Sequence, residues 1–198
     1  MNNNKFLYCI IGLGSIGKRH AEYYANLKGE LIFIDPLDSV YDWAKNNIKK
    51  GFKFFKQIKE AESYLEQSDL PKLAAISNWG NQHYSTLLEL NHLGVKKFFI
   101  EKPVANSIYQ IDNLLNMAKN KKIEFVAGFG WRHTELPKRI IEISHSHLGG
   151  EPQLISMTGG AFGTVTNGIH FLDLAISIFG SSPISVFSNL KSDKINPR

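Results

Sequence analysis

Three glycines, Gly12, Gly14 and Gly17, directly follow an apolar run near the start of the chain. Their spacing is that of a strand–helix turn that binds the pyrophosphate of a dinucleotide. Gly12 makes the tight turn, Gly14 lets the backbone approach the pyrophosphate, and Gly17 lets the helix pack close to the strand. The N–H groups at the start of the helix then bind the phosphate charge. We therefore predict a dinucleotide site here, with a glycine turn in another strand–helix unit as the alternative.

An acidic residue, Asp35, ends a second apolar run. It lies about 20 residues beyond the glycines, which is the spacing expected of the group that binds the ribose 2′-hydroxyl. A carboxylate accepts hydrogen bonds from ribose hydroxyls and repels a 2′-phosphate, so we expect NAD rather than NADP as cofactor. These features alone leave two alternatives open. In the first, Asp35, followed by Pro36, only ends the strand and starts a turn. In the second, the site belongs to a methyltransferase that binds the ribose of its cofactor through an acidic residue.

Two further side chains have the chemistry of proton transfer. Lys102 lies in Glu101-Lys102-Pro103, at the end of a predicted strand, where ligands bind in open α/β sheets. Pro103 keeps the chain extended, and the lysine can polarise a carbonyl or shuttle a proton. His170 opens an apolar helix with Asp173 one turn later on the same face. The alternatives are a surface lysine at a strand end and a structural histidine.

The elements that must position these residues alternate between strand and helix, which predicts a mostly parallel sheet covered on both faces. Beyond Gly128 the pattern predicts a helix over 134–146, a helix over 169–179, and strands over 153–158 and 184–190. We therefore predict an α/β protein. A doubly wound Rossmann sheet that binds NAD occupies residues 1–121, and a partial α/β substrate and oligomerisation domain occupies residues 122–198.

Composition limits the function classes. The chain has 198 residues, 43% of them hydrophobic and 21% charged, which is ordinary for a soluble globular protein. A net charge of +5 with scattered lysines argues against a nucleic-acid partner. The apolar run before Gly12 is too short for a signal peptide or a membrane span. A single cysteine, Cys9, allows no internal disulfide, so we expect a cytoplasmic protein with no membrane partner and no metal site.

The order and spacing of these motifs resemble the Gfo/Idh/MocA family, the relatives of glucose–fructose oxidoreductase and inositol dehydrogenase. The resemblance extends over essentially the whole chain. Its most specific part is Glu-Lys-Pro after the fifth strand followed by Gly-x-His-x-x-Asp. The matching residues are the loop Gly12 to Gly17 with Arg19-His20, then Asp35, His83, Glu101-Lys102-Pro103, Gly128 to Arg132 and Gly168 to Asp173.

The resemblance implies an enzyme that transfers hydride between NAD(P) and a sugar, sugar-nucleotide or polyol carbon. It places Lys102 and His170 at the reacting hydroxyl or carbonyl and Glu101 beside the nicotinamide ribose. It makes Arg132 and Thr166 candidate substrate contacts, with a structural salt bridge as the alternative for Arg132. The cofactor-binding residues it implies are Gly12, Gly14, Ser15, Ile16, Gly17, Asp35, Asn78, His83, Glu101 and Lys102.

Three departures from the family pattern affect these expectations. Thr166 stands where an acidic residue is usual, and Asn78-Trp79 stands for Thr-Pro. We interpret Trp79 as a packing residue, with stacking on the cofactor as the alternative. Family members continue for on the order of a hundred further residues, so we expect a C-terminally truncated chain, and a homo-oligomer at full length. The alternative function is a non-catalytic NAD-binding remnant or regulatory paralogue.

Overall fold

The computed structural model describes residues 5–158, 163 and 167–187. The chain divides into two compact units, Met1–Phe129 and Gly130–Arg198. The sequence interpretation placed the boundary after residue 121. In the structure the strand Glu124–Ala127 pairs with the strand Lys97–Ile100, so residues 124–127 lie in the sheet of the first unit.

Parallel strands alternate with helices through the first unit, as the sequence predicts. The strands are β1 (Phe6–Ile11), β2 (Gly29–Ile34), β3 (Lys53–Phe55), β4 (Lys72–Ile76), β5 (Lys97–Ile100) and β6 (Glu124–Ala127). The helices are α1 (Ser15–Ala25), α2 (Asp38–Asn47), α3 (Ile58–Gln67), α4 (His83–His92) and α5 (Ile108–Lys119). A 3₁₀ turn, Gly80–Gln82, precedes α4, and the Ser107 side chain caps α5 by accepting a hydrogen bond from the Gln110 N–H at 3.3 Å.

The strands form one sheet in the order β3-β2-β1-β4-β5-β6. This order is that of the Rossmann fold, which confirms the predicted doubly wound sheet. Alternate residues of β1 enter different cores. Leu7, Cys9 and Ile11 pack in one core, and Tyr8 and Ile10 pack in the other. Because both faces of β1 are covered, the strand is apolar throughout rather than alternating.

The strands end in register at one edge of the sheet. Ile11 of β1 is aligned with Ile34 of β2 and with Ile76 of β4. Ile76 is aligned with Ile100 of β5, and Ile100 with Ala127 of β6. The loops that follow these residues therefore start side by side at the carboxyl edge of the sheet.

The second unit contains helices α6 (Glu135–Leu148) and α7 (Ile169–Phe179), preceded by a 3₁₀ turn, Trp131–His133. The two predicted helices are found, but residues 153–158 and 184–187 form no strand. Residues 188–190 of the second predicted strand lie outside the described part of the chain. Leu154 and Val186 are 85% and 82% exposed, and an alternating segment without a partner strand does not form a ladder.

Two kinds of feature are absent from the described residues. Within 5–158, 163 and 167–187, no helix has the length and apolar character needed to cross a lipid bilayer. The same ranges hold no group of three or more histidine, cysteine, aspartate or glutamate side chains suited to a metal ion.

Candidate functional site

A cavity of about 1000 Å³ lies at the carboxyl ends of β1, β2 and β4. The strand order reverses between β1 and β4, which is where open α/β sheets bind their ligands. Among the residues that the structure describes, those that line the cavity belong to the first unit. Among the predicted site residues, the wall includes Gly12, Gly14, Ser15, Ile16, Asp35 and Asn78.

The chain itself requires glycine at two of the three positions of the loop, Gly12 and Gly17. Gly12 has φ +79°, and a Cβ there would lie 2.5 Å from the Asn78 Cα atom. At Gly17 a Cβ would lie 1.8 Å from the Gly12 carbonyl oxygen, so only glycine lets the helix approach the strand end so closely. At Gly14 a Cβ would meet no heavy atom within 4 Å. The fold itself therefore tolerates a side chain at Gly14, and the open space there belongs to the cavity.

The start of α1 is arranged to bind an anion. Gly14 is the N-cap residue, no side chain caps this helix, and its first turn holds no acidic residue. Ser15 and Ile16 of that turn line the cavity. The first N–H groups of a helix have no partner within the helix and carry its positive dipole end. An anion in the cavity beside Gly14 would accept hydrogen bonds from them.

Asp35 is 7% exposed, and its carboxylate accepts hydrogen bonds from the glycine loop and from the loop after β2. Its Oδ2 atom accepts a hydrogen bond from the Leu13 N–H at 2.7 Å, and its Oδ1 atom accepts one from the Leu37 N–H at 3.0 Å. A carboxylate offers about four acceptor positions, so further positions remain for hydroxyl groups of a ligand. Asp35 thus fixes the glycine loop and lines the cavity at the same time.

The loop after β4 supplies the opposite wall. The Asn78 amide nitrogen donates to Thr86 Oγ1 at 2.9 Å, while its Oδ1 atom is buried and without a hydrogen-bond partner among the described residues. Trp79 lines the cavity and is 75% exposed. The interpretation of Trp79 as a packing residue is therefore wrong, because most of its indole lies against open space.

The loop after β5 carries Glu101, whose carboxylate is held by two elements. Glu101 Oε1 lies 2.9 Å from His20 Nε2 of α1, and the two side chains are only 15% and 18% exposed. The carboxylate also fills the space beside Gly128, where a Cβ would come within 3.0 Å of Glu101 Oε2. The Glu101 backbone N–H donates to the Ile76 carbonyl at 2.9 Å.

Lys102 and Pro103 continue this loop at the same edge of the sheet. Lys102 is half-buried, and its peptide bond to Pro103 is cis. His83 is 1% exposed. Its Nδ1 atom lies 2.7 Å from the Pro103 carbonyl oxygen and its Nε2 atom lies 3.0 Å from the Asn78 carbonyl oxygen. Both ring nitrogens of His83 thus face backbone, and the residue does not line the cavity that we expected it to reach.

In the second unit, the residues before α6 pack against the start of α7. The Trp131 ring stacks on the His170 ring with centroids 5.5 Å apart. Arg132 forms a two-point ion pair with Asp173, through Nη2 to Oδ1 at 2.8 Å and Nε to Oδ2 at 3.1 Å. The structural salt bridge considered for Arg132 is therefore present. Thr166 lies outside the described residues.

The sequence profile of the Gfo/Idh/MocA family, described as an oxidoreductase family with an NAD-binding Rossmann fold, matches residues 6–129. The chain belongs to this family. The match ends at the last residue of the first unit, so the first unit is the NAD-binding domain of a Gfo/Idh/MocA protein.

Three relatives illustrate the similarity. The myo-inositol 2-dehydrogenase of Thermotoga maritima is 24% identical over 195 residues, which cover 91% of this chain and 57% of the relative. The structure of scyllo-inositol dehydrogenase from Lactobacillus casei with NAD(H) and scyllo-inositol has a TM-score of 0.70 at 18% identity, covering 89% of this chain and 57% of that one. The WlbA dehydrogenase of Thermus thermophilus, in complex with NAD and UDP-GlcNAcA, has a TM-score of 0.69 at 20% identity, covering 88% and 63%. These structures share the fold, and this chain spans less than two thirds of their length.

The cavity of this Gfo/Idh/MocA chain fits NAD. The uncapped start of α1 and the space at Gly14 suit a pyrophosphate. Asp35 offers acceptor positions for ribose hydroxyls, and Asn78 Oδ1 is a buried acceptor in need of a donor. Buried acceptors without a hydrogen-bond partner are rare in folded proteins. A ligand that donates to Asn78 Oδ1 would therefore supply the partner that this atom lacks among the described residues.

Sequence reasoning missed several residues of the cavity wall. The segment between β3 and α3 contributes Lys56 and Gln57, the first turn of α3 contributes Lys59, and the turn before α4 contributes Gln82. Lys56 also pairs with Asp38 at 2.8 Å. These residues carry no motif, but the position of their segments offered a signal. Both follow a predicted strand, and chain segments that follow parallel strands collect at the ligand-binding edge.

Proposed function

We propose that this protein is an NAD-dependent oxidoreductase that transfers hydride between the nicotinamide and a hydroxyl-bearing carbon of a polyol, sugar or sugar nucleotide. Family membership and the fit of the cavity to NAD support the redox chemistry. The names of the relatives, which include inositol dehydrogenases and a dehydrogenase bound to UDP-GlcNAcA, support the substrate class.

One observation supports this proposal more than any other. The strand that ends at Ile100 is aligned with the strand that ends at Ile76, and the Glu101 N–H donates to the Ile76 carbonyl oxygen at 2.9 Å. Lys102 therefore leaves the sheet at the same edge as Asn78, which lines the cavity. A side chain that can exchange a proton thus starts one strand away from the wall of the NAD cavity.

The proposed chemistry divides between the cofactor and the chain. NAD supplies the carbon that accepts hydride from the substrate C–H bond. Lys102 takes the proton from the hydroxyl oxygen of the same carbon, and the reverse reaction returns it to the carbonyl oxygen. The resemblance to the family supports a role for Glu101 beside the nicotinamide ribose. His170, Arg132 and Thr166 are further candidates for proton transfer and substrate contact, supported by the resemblance to the family.

The proposal extends to the setting in which the protein works. The one cysteine is buried in β1, which suits a reducing compartment, and we propose that the protein acts in the cytoplasm. We further propose that the full-length protein assembles as a homo-oligomer. Gel filtration with light scattering on the full-length protein tests the assembly.

NADH binding and turnover are measured separately to test the proposal. Titration calorimetry should show NADH bound, and absorbance at 340 nm should show NAD reduced in the presence of one member of a panel. The panel holds myo-inositol, scyllo-inositol, free hexoses and UDP-sugars. Positioned proton transfer contributes about 10² to 10⁴-fold to rate, so Lys102→Ala should lower turnover by that factor while NADH affinity changes little.

Lys97→Ala is the matched control, since Lys97 begins the strand that leads to Lys102 and pairs with Glu124 at the surface. Its turnover should equal that of the wild type. Tight NADH binding with no turnover of any member of the panel would instead favour the non-catalytic alternative. Loss of less than tenfold in Lys102→Ala would remove Lys102 from the mechanism.

A further inference from the structure

Two buried or half-buried histidines contact the two residues that flank Lys102. His20 Nε2 lies 2.9 Å from Glu101 Oε1, and His83 Nδ1 lies 2.7 Å from the Pro103 carbonyl oxygen. We propose that His20 and His83 are positioning residues that fix the loop 101–103 from both sides and thereby place the Lys102 amine. The consequence for catalysis rests on the proposed function.

The His20 contact ties the loop to the helix that binds the pyrophosphate. His20 lies on α1, whose first turn lines the cavity. The ring packs edge-on against Phe99 of β5 with centroids 4.9 Å apart, which fixes its orientation. Gly128 closes the other side of the Glu101 carboxylate, since a Cβ there would collide with it. The Glu101 side chain is thereby held on two sides.

The His83 contact ties the loop to the strand end that bears Asn78. His83 begins α4, and its second ring nitrogen lies 3.0 Å from the Asn78 carbonyl oxygen. Both partners are carbonyl oxygens, which only accept hydrogen bonds, and a neutral imidazole has one N–H, so the ring donates to one of them and packs against the other. The ring therefore bridges the loop after β4 and the loop after β5 through their backbones. Pro103 also packs against Gly80, where a Cβ would lie 2.9 Å from the Pro103 Cδ atom.

These contacts matter because of the length of the lysine side chain. A lysine carries its amine on a flexible four-carbon stem, so its position depends on the backbone from which the stem starts. Catalytic groups must be held within about 0.5 Å of the productive geometry by supporting hydrogen bonds. The residue before Lys102 and the residue after it are each fixed, so the stem starts from a defined point.

Two conservative variants of His83 separate the contacts. The amide nitrogen of asparagine can occupy the place of Nδ1, so His83→Asn can donate to the Pro103 carbonyl oxygen and loses the contact with Asn78. The amide nitrogen of glutamine can occupy the place of Nε2, so His83→Gln can donate to the Asn78 carbonyl oxygen and loses the contact with Pro103. Each variant removes one buried contact of the ring, so we expect similar losses of thermal stability.

Hydrogen exchange of the full chain gives a readout that does not need activity. We expect the amides of residues 102 and 104–106 to exchange about tenfold faster in His83→Gln than in the wild type, and at nearly the wild-type rate in His83→Asn. For His20, His20→Gln should retain the bond to Glu101 and His20→Phe should lose it, with the same contrast in exchange. His92→Asn and His92→Gln, at the exposed far end of α4, are the controls.

Ligand binding and turnover connect the loop to the nicotinamide half of the site. We expect His83→Gln to weaken NADH binding several-fold while leaving ADP-ribose affinity unchanged, because ADP-ribose lacks the nicotinamide. Turnover of the substrate identified for the wild type should fall about tenfold or more in His83→Gln, a size typical for lost supporting contacts. His83→Asn should remain within a factor of about two of the wild type in both measurements.

Equal exchange, affinity and turnover in His83→Asn and His83→Gln would overturn the proposal, since a merely structural histidine would not distinguish them. If the wild type neither binds NADH nor reduces NAD, the proposed function fails. The exchange comparison would still decide whether the two histidines anchor the loop.

Discussion

Asp35 combines a structural and a ligand-binding position in one side chain. It accepts hydrogen bonds from the N–H groups of Leu13 and Leu37 and lines the cavity. The carboxylate is therefore oriented before any ligand arrives. A carboxylate fixed in this way discriminates between ligands that differ in charge. Because its hydrogen bonds hold it in place, it cannot turn away from an anionic group and so weaken the repulsion.

We predict that NAD binds about ten- to a hundredfold more tightly than NADP, since a 2′-phosphate would lie close to the Asp35 carboxylate in a partly buried site. Asp35→Asn should weaken NAD binding and strengthen NADP binding, and so narrow the ratio of the two affinities. Calorimetric titration of the wild type and the variant with both cofactors measures this ratio. Equal affinities in the wild type, or an unchanged ratio in the variant, would contradict this account of Asp35.

Gly14 and Gly17 should respond in opposite ways to an added side chain. Gly14→Val should abolish NADH binding and leave the melting temperature nearly unchanged, because its Cβ meets no protein atom and occupies space needed by the pyrophosphate. Gly17→Ala should lower the melting temperature, because its Cβ would lie 1.8 Å from the Gly12 carbonyl oxygen. Calorimetry and thermal unfolding of the pair test both claims. A folded Gly14→Val protein with wild-type NADH affinity would show that the loop serves another purpose.

Trp79 is expected to contact the cofactor directly. An aromatic contact contributes about 0.5–1.5 kcal/mol, so Trp79→Ala should weaken NADH binding by roughly two- to tenfold. Energy transfer from tryptophan to bound NADH should also drop. Trp43→Phe, at a residue of the first unit that is not part of the cavity wall, is the control and should retain NADH affinity. Unchanged energy transfer in Trp79→Ala would place the indole away from the nicotinamide.

At the scale of elements, β1 is the buried centre of the sheet. It pairs with β2 and with β4, and its Cys9 side chain is 0% exposed. Burial raises the pKa of the Cys9 thiol from 9.0 to about 12, because a thiolate is poorly solvated there. The thiol is then protonated and inaccessible at neutral pH, and both conditions suppress its reactivity.

We predict that Cys9 does not react with a disulfide reagent at pH 8 in the native chain and reacts fully in denaturant. The free energy of unfolding should also fall as pH rises from about 9 towards 12, since the unfolded thiol ionises before the folded one. Absorbance of the released chromophore follows the first effect, and chemical denaturation at several pH values follows the second. Fast labelling of the native chain would mean that β1 is not covered as the structure has it.

At the scale of the whole molecule, the described part of the NAD cavity lies in the first unit. The described residues that line it fall between Ile11 and Glu89, and the first unit extends to Phe129. We predict that the isolated segment 1–129 folds and binds NADH with an affinity within about threefold of the full chain, because a self-contained core can fold alone. Circular dichroism and calorimetry of the two proteins test this. A segment 1–129 that folds but binds NADH far more weakly would show that the second unit contributes to the cofactor site.

The second unit exposes apolar side chains along its helix α7. Leu172, Ile176 and Phe179 follow one face of α7 and are 60%, 36% and 42% exposed. The sequence pattern predicted this apolar helix but not its exposure. Exposure depends on which other parts of a protein pack against a helix, and a local pattern carries no record of them.

Local patterns were sufficient for the alternating elements of the first unit, the glycine turn, Asp35 and the position of Lys102. Each depends on residues close together in the chain, because steric demands at a turn and the periodicity of a buried strand are short-range effects. The tertiary structure alone decided which residues His20 and His83 contact and that Trp79 is exposed. His20 meets Glu101 across 81 residues of chain, and His83 meets Pro103 across 20. It also decided that residues 153–158 form no strand, because a strand exists only when another strand satisfies its backbone hydrogen bonds.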